Sequence, residues 1–271
     1  MEVLKVASIK DEAKGVRTIS VRPYPGNWSG YVPGQFVMVW LPGIDEVPMS
    51  VSYLGGDPFT LGITVQDVGE ATHALCSLEP GMRIGIRGPY GRGFDLDQHR
   101  DSTMIGVCGG VGAASIVTAM EKARMLSFRT VVLAGSRSSD LLMFKDRFAS
   151  AAESAHYSTD DGTFGEKGLV TSMVEKELSR SRNAVLLVCG PELMMRSVAE
   201  IAARYGVKAQ YSLERFMKCG IGVCDSCSIS GARVCQEGPV LTQDEVMALP
   251  EFGTSHRDRS GRSVPLRECV R

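Results

Sequence analysis

The chain changes its hydrophobic period once, near residue 98. Before that point short apolar runs recur at residues 3–9, 18–21, 35–41, 47–53, 59–65 and 82–87. Turn chemistry separates them: Pro23 through Gly26, Pro33 with Gly34, and Pro42 with Gly43. Short strands with such punctuation predict a small antiparallel barrel over residues 1–98, with one helical stretch at 71–78. From 99 to 212 strand-like runs alternate with helical ones. The runs at 103–108, 130–135, 156–159, 184–189 and 207–212 read as strands. Those at 113–126, 140–151, 169–178 and 192–205 read as helices. This alternation predicts a five-stranded parallel, doubly wound α/β sheet that binds its ligand at the carboxyl ends of the strands. Residues 213–271 lose the period and read as a loop-rich module. The end is rich in arginine and serine, with Arg257, Arg259, Arg262, Arg267 and Arg271. A solvated, disordered tail is expected there, with a docking arm as the alternative.

Composition narrows the function. At 271 residues the chain suits two domains plus a module. A formal net charge of -1 gives no electrostatic case for nucleic acid or an anionic membrane. No secretory segment opens the chain, and no apolar run approaches a membrane span, so a soluble cytoplasmic protein is expected.

Four cysteines change the picture most. Cys219, Cys224, Cys227 and Cys235 are spaced C-x4-C-x2-C-x7-C. The first gaps match the plant-type ligand pattern of a [2Fe–2S] cluster. Gly220 and Gly222 let the backbone curl and turn N–H groups toward the sulfurs. Zinc is the first alternative, but structural zinc usually shows two C-x2–4-C pairs separated by a longer span. Disulfides are the second, and fit poorly without a secretory signal. Cys76 and Cys108 read as small buried apolar residues. Cys269 carries no clear signal.

Three strand ends carry the remaining chemistry. Gly109, Gly110 and Gly112 join the first α/β strand to its helix, where N–H groups and the helix dipole favour phosphate. The stretch departs from a strict dinucleotide fingerprint, with Ser115 where Gly or Ala is expected and Arg137 near the end of the second strand. Asp160 and Asp161 end the third strand, where carboxylates could read a ribose and repel a 2′-phosphate; this favours NAD over NADP. Cys189, Gly190 and Pro191 end the fourth, and a structural turn and a thiol beside a redox-active ring are both open there. No catalytic acid, base or nucleophile stands out. His73, His99, His156 and His256 show no partner pattern and read as structural or exposed.

Barrel, nucleotide sheet and cysteine module in this order resemble the ferredoxin-reductase-like flavoproteins, and among them the electron-transfer subunits of type B dihydroorotate dehydrogenase. The likeness covers roughly residues 1–245. The stretches that carry it are 159–168, Cys189 to Pro191, Glu214 through Cys227, and Arg233 through Pro239. The resemblance implies FAD on the barrel. Val47, Pro48, Met49 and Ser50 stand where the family has Arg-Pro-x-Ser. Val65, Gln66 and Asp67, then Gly69, Glu70, Ala71 and Thr72, stand for Tyr-Arg-x and Gly-x-Gly-Thr. Both family arginines are replaced, so the flavin phosphate is expected on backbone N–H groups at the start of the Ala71 helix. The resemblance further implies a separate FMN-containing dihydroorotate dehydrogenase catalytic subunit, in a heterotetramer of two of each. Electrons would pass from it through the cluster and FAD to NAD+, a mobile acceptor, in pyrimidine synthesis. Exposed Ile221 and Val223 would face that partner. Flavin subunits of a sulfide dehydrogenase, sulfhydrogenase or NAD(P)H–ferredoxin reductase are the alternative. Some of those carry aspartate at the first cluster position, and Cys219 favours the dihydroorotate assignment.

Overall fold

The computed structural model of the chain describes residues 1–99, 101–180, 183–258 and 260–266. Arg259, Arg267, Cys269 and Arg271 lie outside the described residues. The first part is a closed antiparallel barrel, in the order β1-β2-β5-β4-β3-β6. Its strands are β1 (Glu2–Ala13), β2 (Val16–Val21), β3 (Phe36–Leu41), β4 (Asp45–Gly55), β5 (Thr60–Gln66) and β6 (Arg83–Tyr90), with helix α1 (Glu70–Cys76) between the last two. Period-two alternation builds it. Val37 and Val39 of β3 turn inward and meet Val51, Ile63, Ile19 and Ile84 in the barrel core. Phe36 and Met38, on the opposite face of β3, are just as buried, but they belong to a different core.

That second core lies over the α/β sheet. The sheet contains β7 (Thr103–Gly109), β8 (Thr130–Ser136), β9 (Ser154–Thr159), β10 (Glu166–Lys167), β11 (Ala184–Cys189) and β12 (Lys208–Ser212). Helices α2 (Ala113–Met125), α3 (Lys145–Ala151), α4 (Val170–Arg180) and α5 (Glu192–Tyr205) cover its faces. The expected five parallel strands run β9-β8-β7-β11-β12. The expectation of five strands is nevertheless short by two. The sheet has seven, because β10 extends one edge in parallel and β15 (Val240–Thr242) pairs antiparallel with β12 at the other. Both added strands are too short to show a period.

The C-terminal part supplies β13 (Ser228–Ile229), β14 (Ala232–Arg233), α6 (Val234–Glu237), α7 (Gln243–Met247), β16 (Ser255–Arg257) and β17 (Ser263–Pro265). Its last two strands form an antiparallel hairpin, so the expected disordered tail is corrected for the described residues. The expected helix at 140–151 is also shorter. Leu142, Met143 and Phe144 are all buried, and Phe144 takes a left-handed φ of 56°, so the helix starts only at Lys145. Three consecutive buried side chains do not fit one face of a surface helix.

Barrel and sheet are bolted together. Helix α2 packs along β4. Arg147 of α3 donates to the Ser52 carbonyl at 2.8 Å and grips both oxygens of Glu121 at 2.7 Å. On the far side Arg92 donates to the Val240 carbonyl at 2.7 Å and forks onto Glu245.

Candidate redox centre and nucleotide crevice

The four-cysteine loop leaves the sheet after β12 and returns to it at β15. Its backbone N–H groups point at sulfur. Ile221 and Val223 donate to Cys219 Sγ at 3.5 and 3.3 Å, and Gly222 donates to Cys235 Sγ at 3.1 Å. Gly222 has φ 76°, and a Cβ there would stand 2.1 Å from Gln236 Oε1, so the curl requires glycine. Burial works against a charged Cys219, but the N–H donors of Ile221, Val223 and Cys224 outweigh it and lower the thiol to about 6. Cys235 is pushed up to about 12, by burial first and by its neighbour Cys227 next. The two thiols thus differ, one eased toward thiolate by N–H donors and the other held protonated by burial.

The sulfurs fall into two pairs. Cys219 contacts Cys224, and Cys235 contacts Cys227, whose sulfur also accepts the Cys235 N–H at 3.4 Å. Among the described residues no three His, Cys, Asp or Glu side chains converge as ligands of one ion would. Paired thiols could serve two irons or one tetrahedral zinc; the C-x4-C-x2-C spacing is what points to iron. Cys227 and Cys235 are buried, Cys224 is exposed, and the loop tip carries Ile221 at 53% and Val223 at 76% exposure. The root of the loop presses on the barrel. A Cβ on Gly220 would stand 2.8 Å from Met38 Cγ and 3.7 Å from the Phe36 ring.

Val47, Pro48, Met49 and Ser50 form a half-buried strip on β4. Their register partners on β3 are Val39, Met38, Val37 and Phe36. Directly paired residues point to the same side, so Pro48 and Ser50 share the outer face with Met38 and Phe36. Val65, Gln66 and Asp67 lead from the end of β5 toward α1. Asp67 Oδ2 lies 3.0 Å from His73 Nδ1, a partner that sequence patterns did not reveal. At the head of α1, Thr72 Oγ1 accepts from the N–H groups of Val68 and Gly69 at 3.0 and 2.9 Å. That leaves Glu70, Ala71 and Thr72 to offer the first-turn N–H groups, which have no acceptor inside a helix. The half-covered strip and this donor set fit a flavin and its phosphate without a guanidinium.

The nucleotide motifs come together at the carboxyl ends of β7 and β11, which are neighbours with Cys108 opposite Cys189. Gly109, Gly110 and Gly112 form the turn into α2, and Gly190 and Pro191 form the turn into α5. The two turns touch backbone to backbone. A Cβ on Gly112 would stand 2.4 Å from the Cys189 carbonyl oxygen and 2.7 Å from Gly190 N. The sequential neighbours of β7 diverge here, β8 to one side and β11 to the other, so a crevice opens as doubly wound sheets require. Ser115 is not aimed at a phosphate. Its hydroxyl bonds Ser212 at 3.3 Å, and both hydroxyls face Cys189. The Cys189 thiol is pushed up to about 12 by desolvation and then by Glu214, against the pull of those hydroxyls. Glu214 keeps solvent contact in a crevice walled by protein. Desolvation raises its carboxyl above the ordinary range, and Arg215 pulls it back. Asp160 and Asp161 lie exposed beyond β9, and Asp161 Oδ1 accepts from Thr163 N and Oγ1 at 2.9 and 2.7 Å.

One buried ion pair joins crevice and loop. Arg215 forks onto Glu192, the first residue of α5, with side-chain exposures of 4% and 7%. Arg215 also holds the Glu214 carbonyl at 2.8 Å, and Glu192 accepts the Gly253 N–H at 2.8 Å. A buried pair of this kind fixes a geometry more than it adds stability.

Comparison with known proteins agrees with this layout. Residues 106–200 match the oxidoreductase NAD-binding domain family. Residues 214–247 match the iron-sulfur cluster binding domain of dihydroorotate dehydrogenase B. A protein of Thermoplasma acidophilum named "Probable dihydroorotate dehydrogenase B (NAD(+)), electron transfer subunit" is 41% identical, over 98% of this chain and 99% of its own. The chain belongs to the family of dihydroorotate dehydrogenase B electron-transfer subunits. A member from Methanocella arvoryzae with the same name is 42% identical over 95% of this chain and 96% of its own. Among solved structures, a chain of an NADH-dependent reduced ferredoxin-NADP oxidoreductase superposes with TM-score 0.80 at 25% identity, covering 90% of each chain. A ferredoxin NADP+ reductase from Neisseria gonorrhoeae shares the fold at TM-score 0.64 and 16% identity, over 76% of this chain and 91% of that one. Within this dihydroorotate dehydrogenase B family fold, the sequence patterns missed Met38, which hides among barrel apolars, and the Glu192–Arg215 pair, whose members lie far apart in sequence and meet only through the topology. Thr72, expected at the flavin phosphate, caps α1 with its hydroxyl.

Proposed function

We propose that the chain carries electrons between a dihydroorotate-oxidising partner subunit and NAD+, through a [2Fe–2S] cluster and FAD. The observation that carries this is a four-cysteine loop, its backbone N–H groups aimed at sulfur, seated against both the barrel and the nucleotide crevice. In this reading residues 1–98 hold FAD, residues 99–212 hold NAD, and residues 213–271 hold the cluster. Cys219, Cys224, Cys227 and Cys235 are its ligands. The partner contains FMN, and the complex has two copies of each subunit.

The bound flavin supplies the exchange between one-electron and hydride chemistry. The chain's own residues supply position. Pro48 and Ser50, on the outer face of the strip, lie toward the ring system with Gln66 and Asp67, backed from the barrel core by Val47, Met49 and Val65, and the N–H groups of Glu70, Ala71 and Thr72 hold its phosphate. The glycine turn at 109–112 receives the dinucleotide pyrophosphate at the α2 N-terminus. Gly190 and Pro191 bring Cys189 beside the nicotinamide. Dihydroorotate oxidation also needs a base to take a proton, and in this reading that step belongs to the partner that holds the FMN. The isolated chain is expected to reduce dyes with NADH and leave dihydroorotate untouched. Adding the FMN subunit should couple dihydroorotate oxidation to NAD+ reduction. Dihydroorotate oxidation by the isolated chain would overturn this division of labour.

Asp160 and Asp161 set the preference for NAD(H), because two carboxylates repel a 2′-phosphate. Replacing both with serine should narrow the ratio of NADH to NADPH efficiencies by on the order of tenfold, the scale of one lost charge contact of about 1.4 kcal/mol. Steady-state kinetics with both cofactors checks this. A wild-type chain that uses NADPH as well as NADH would refute it.

A further inference from the structure

We propose that Met38, backed by Phe36, is a positioning residue for electron exchange between the flavin-bearing strand and the cluster loop. This rests on the cofactor assignment above and goes beyond it to the layer between the two sites. Met38 is fully buried, yet it faces away from the barrel core. It belongs instead to the core that contains Cys227 and Cys235. Its partner on β4 is Pro48, in the flavin strip, and the partner of Phe36 is Ser50. Paired strands lie about 4.8 Å apart. On the other side, Gly220 sits flush on Met38 and near the Phe36 ring, one residue from Cys219. A single layer of two side chains thus separates the loop from the strip, and it keeps water out. Methionine is unbranched and fills an irregular gap.

The step this layer serves is simple to balance. With both groups bound, the flavin would take a hydride from NADH and pass one electron to the cluster, reducing one Fe(III) to Fe(II). With ferricyanide added as a one-electron oxidant to reoxidise the cluster, the second electron would follow and the flavin's proton would leave to solvent.

The test uses the full chain with FAD and cluster bound. Stopped-flow absorbance follows flavin reduction by NADH and cluster reduction separately. Met38→Leu conserves volume and should keep both rates within about twofold of wild type. Met38→Ala opens the layer. It should slow cluster reduction by at least about tenfold, or ~1.4 kcal/mol of barrier, while NADH still reduces the flavin at its usual rate. Iron, sulfide and FAD contents should stay full, and the visible circular dichroism of the cluster should change. An unaltered cluster rate in Met38→Ala, or an equal fall in both steps, would overturn the proposal. If Met38→Ala does not retain its cluster, Phe36→Leu is judged by the same criteria. Should wild-type flavin resist NADH, the nucleotide assignment fails instead, and photoreduced flavin still reads the flavin-to-cluster step.

Discussion

Serine in place of Cys227 or Cys235 is expected to abolish cluster binding and, with it, electron exchange with the partner. Both sulfurs are buried, and each is the other's neighbour. A serine hydroxyl keeps its proton near neutral pH and leaves an iron short of one anionic ligand. Changes to groups that only support a ligand cost metal sites roughly 10–100-fold in affinity, so loss of a ligand should cost more. Serine at Cys219 discards a sulfur already held near its thiolate form by three N–H donors, and those donors are then left without an anion. Cys224, at the surface, should give the mildest of the four losses. In every variant the barrel strip and the crevice are untouched, so NADH-dependent dye reduction should persist. Iron analysis and the visible spectrum check this, and full iron occupancy in all four variants would sink the ligand assignment.

Gly112→Ala should nearly silence NADH while leaving FAD and cluster in place. The new methyl would fall 2.4 Å from the Cys189 carbonyl oxygen and 2.5 Å from its carbon. Neither atom is the end of a flexible side chain, so the two turns themselves must part. Overpacking of this kind typically costs about 1–3 kcal/mol. Spent on the crevice, that raises the KM for NADH by on the order of 10–100-fold, since each 1.4 kcal/mol is a factor of ten. Flavin content and the cluster spectrum serve as the folding controls. An unchanged KM would show that the dinucleotide does not use this junction.

Much of this was legible in the sequence, for identifiable reasons. Barrel strands announce themselves as short apolar runs between Gly and Pro turns, and the cysteine spacing matches the plant-type cluster pattern. The nucleotide turns could be read from Gly112, Gly190 and Pro191, but their contact could not, since it depends on β7 and β11 being neighbours. Local patterns failed where long-range packing took over. Leu142 to Phe144 look helical and are instead pulled into the core, with Leu142 extended and Phe144 left-handed. The strands β10 and β15 are recruited by existing sheet edges rather than by any propensity of their own. Met38 looks like any core methionine until the register shows which way it faces.

The antiparallel pairing of β12 with β15 has a consequence for how such proteins can be rebuilt. Ser212 sits opposite Val240, and Tyr211 opposite Leu241. Everything between them, residues 213–239, is thus an excursion whose two ends are already stitched side by side. It has the anatomy of a removable cassette. A short hairpin turn could close the same gap, provided that the sheet and barrel faces now buried by Leu213, Met217, Ile229 and Val234 were made polar. Conversely, a reductase with a free sheet edge at this place, and a matching apolar spot on its barrel, could accept the excursion and acquire a one-electron outlet.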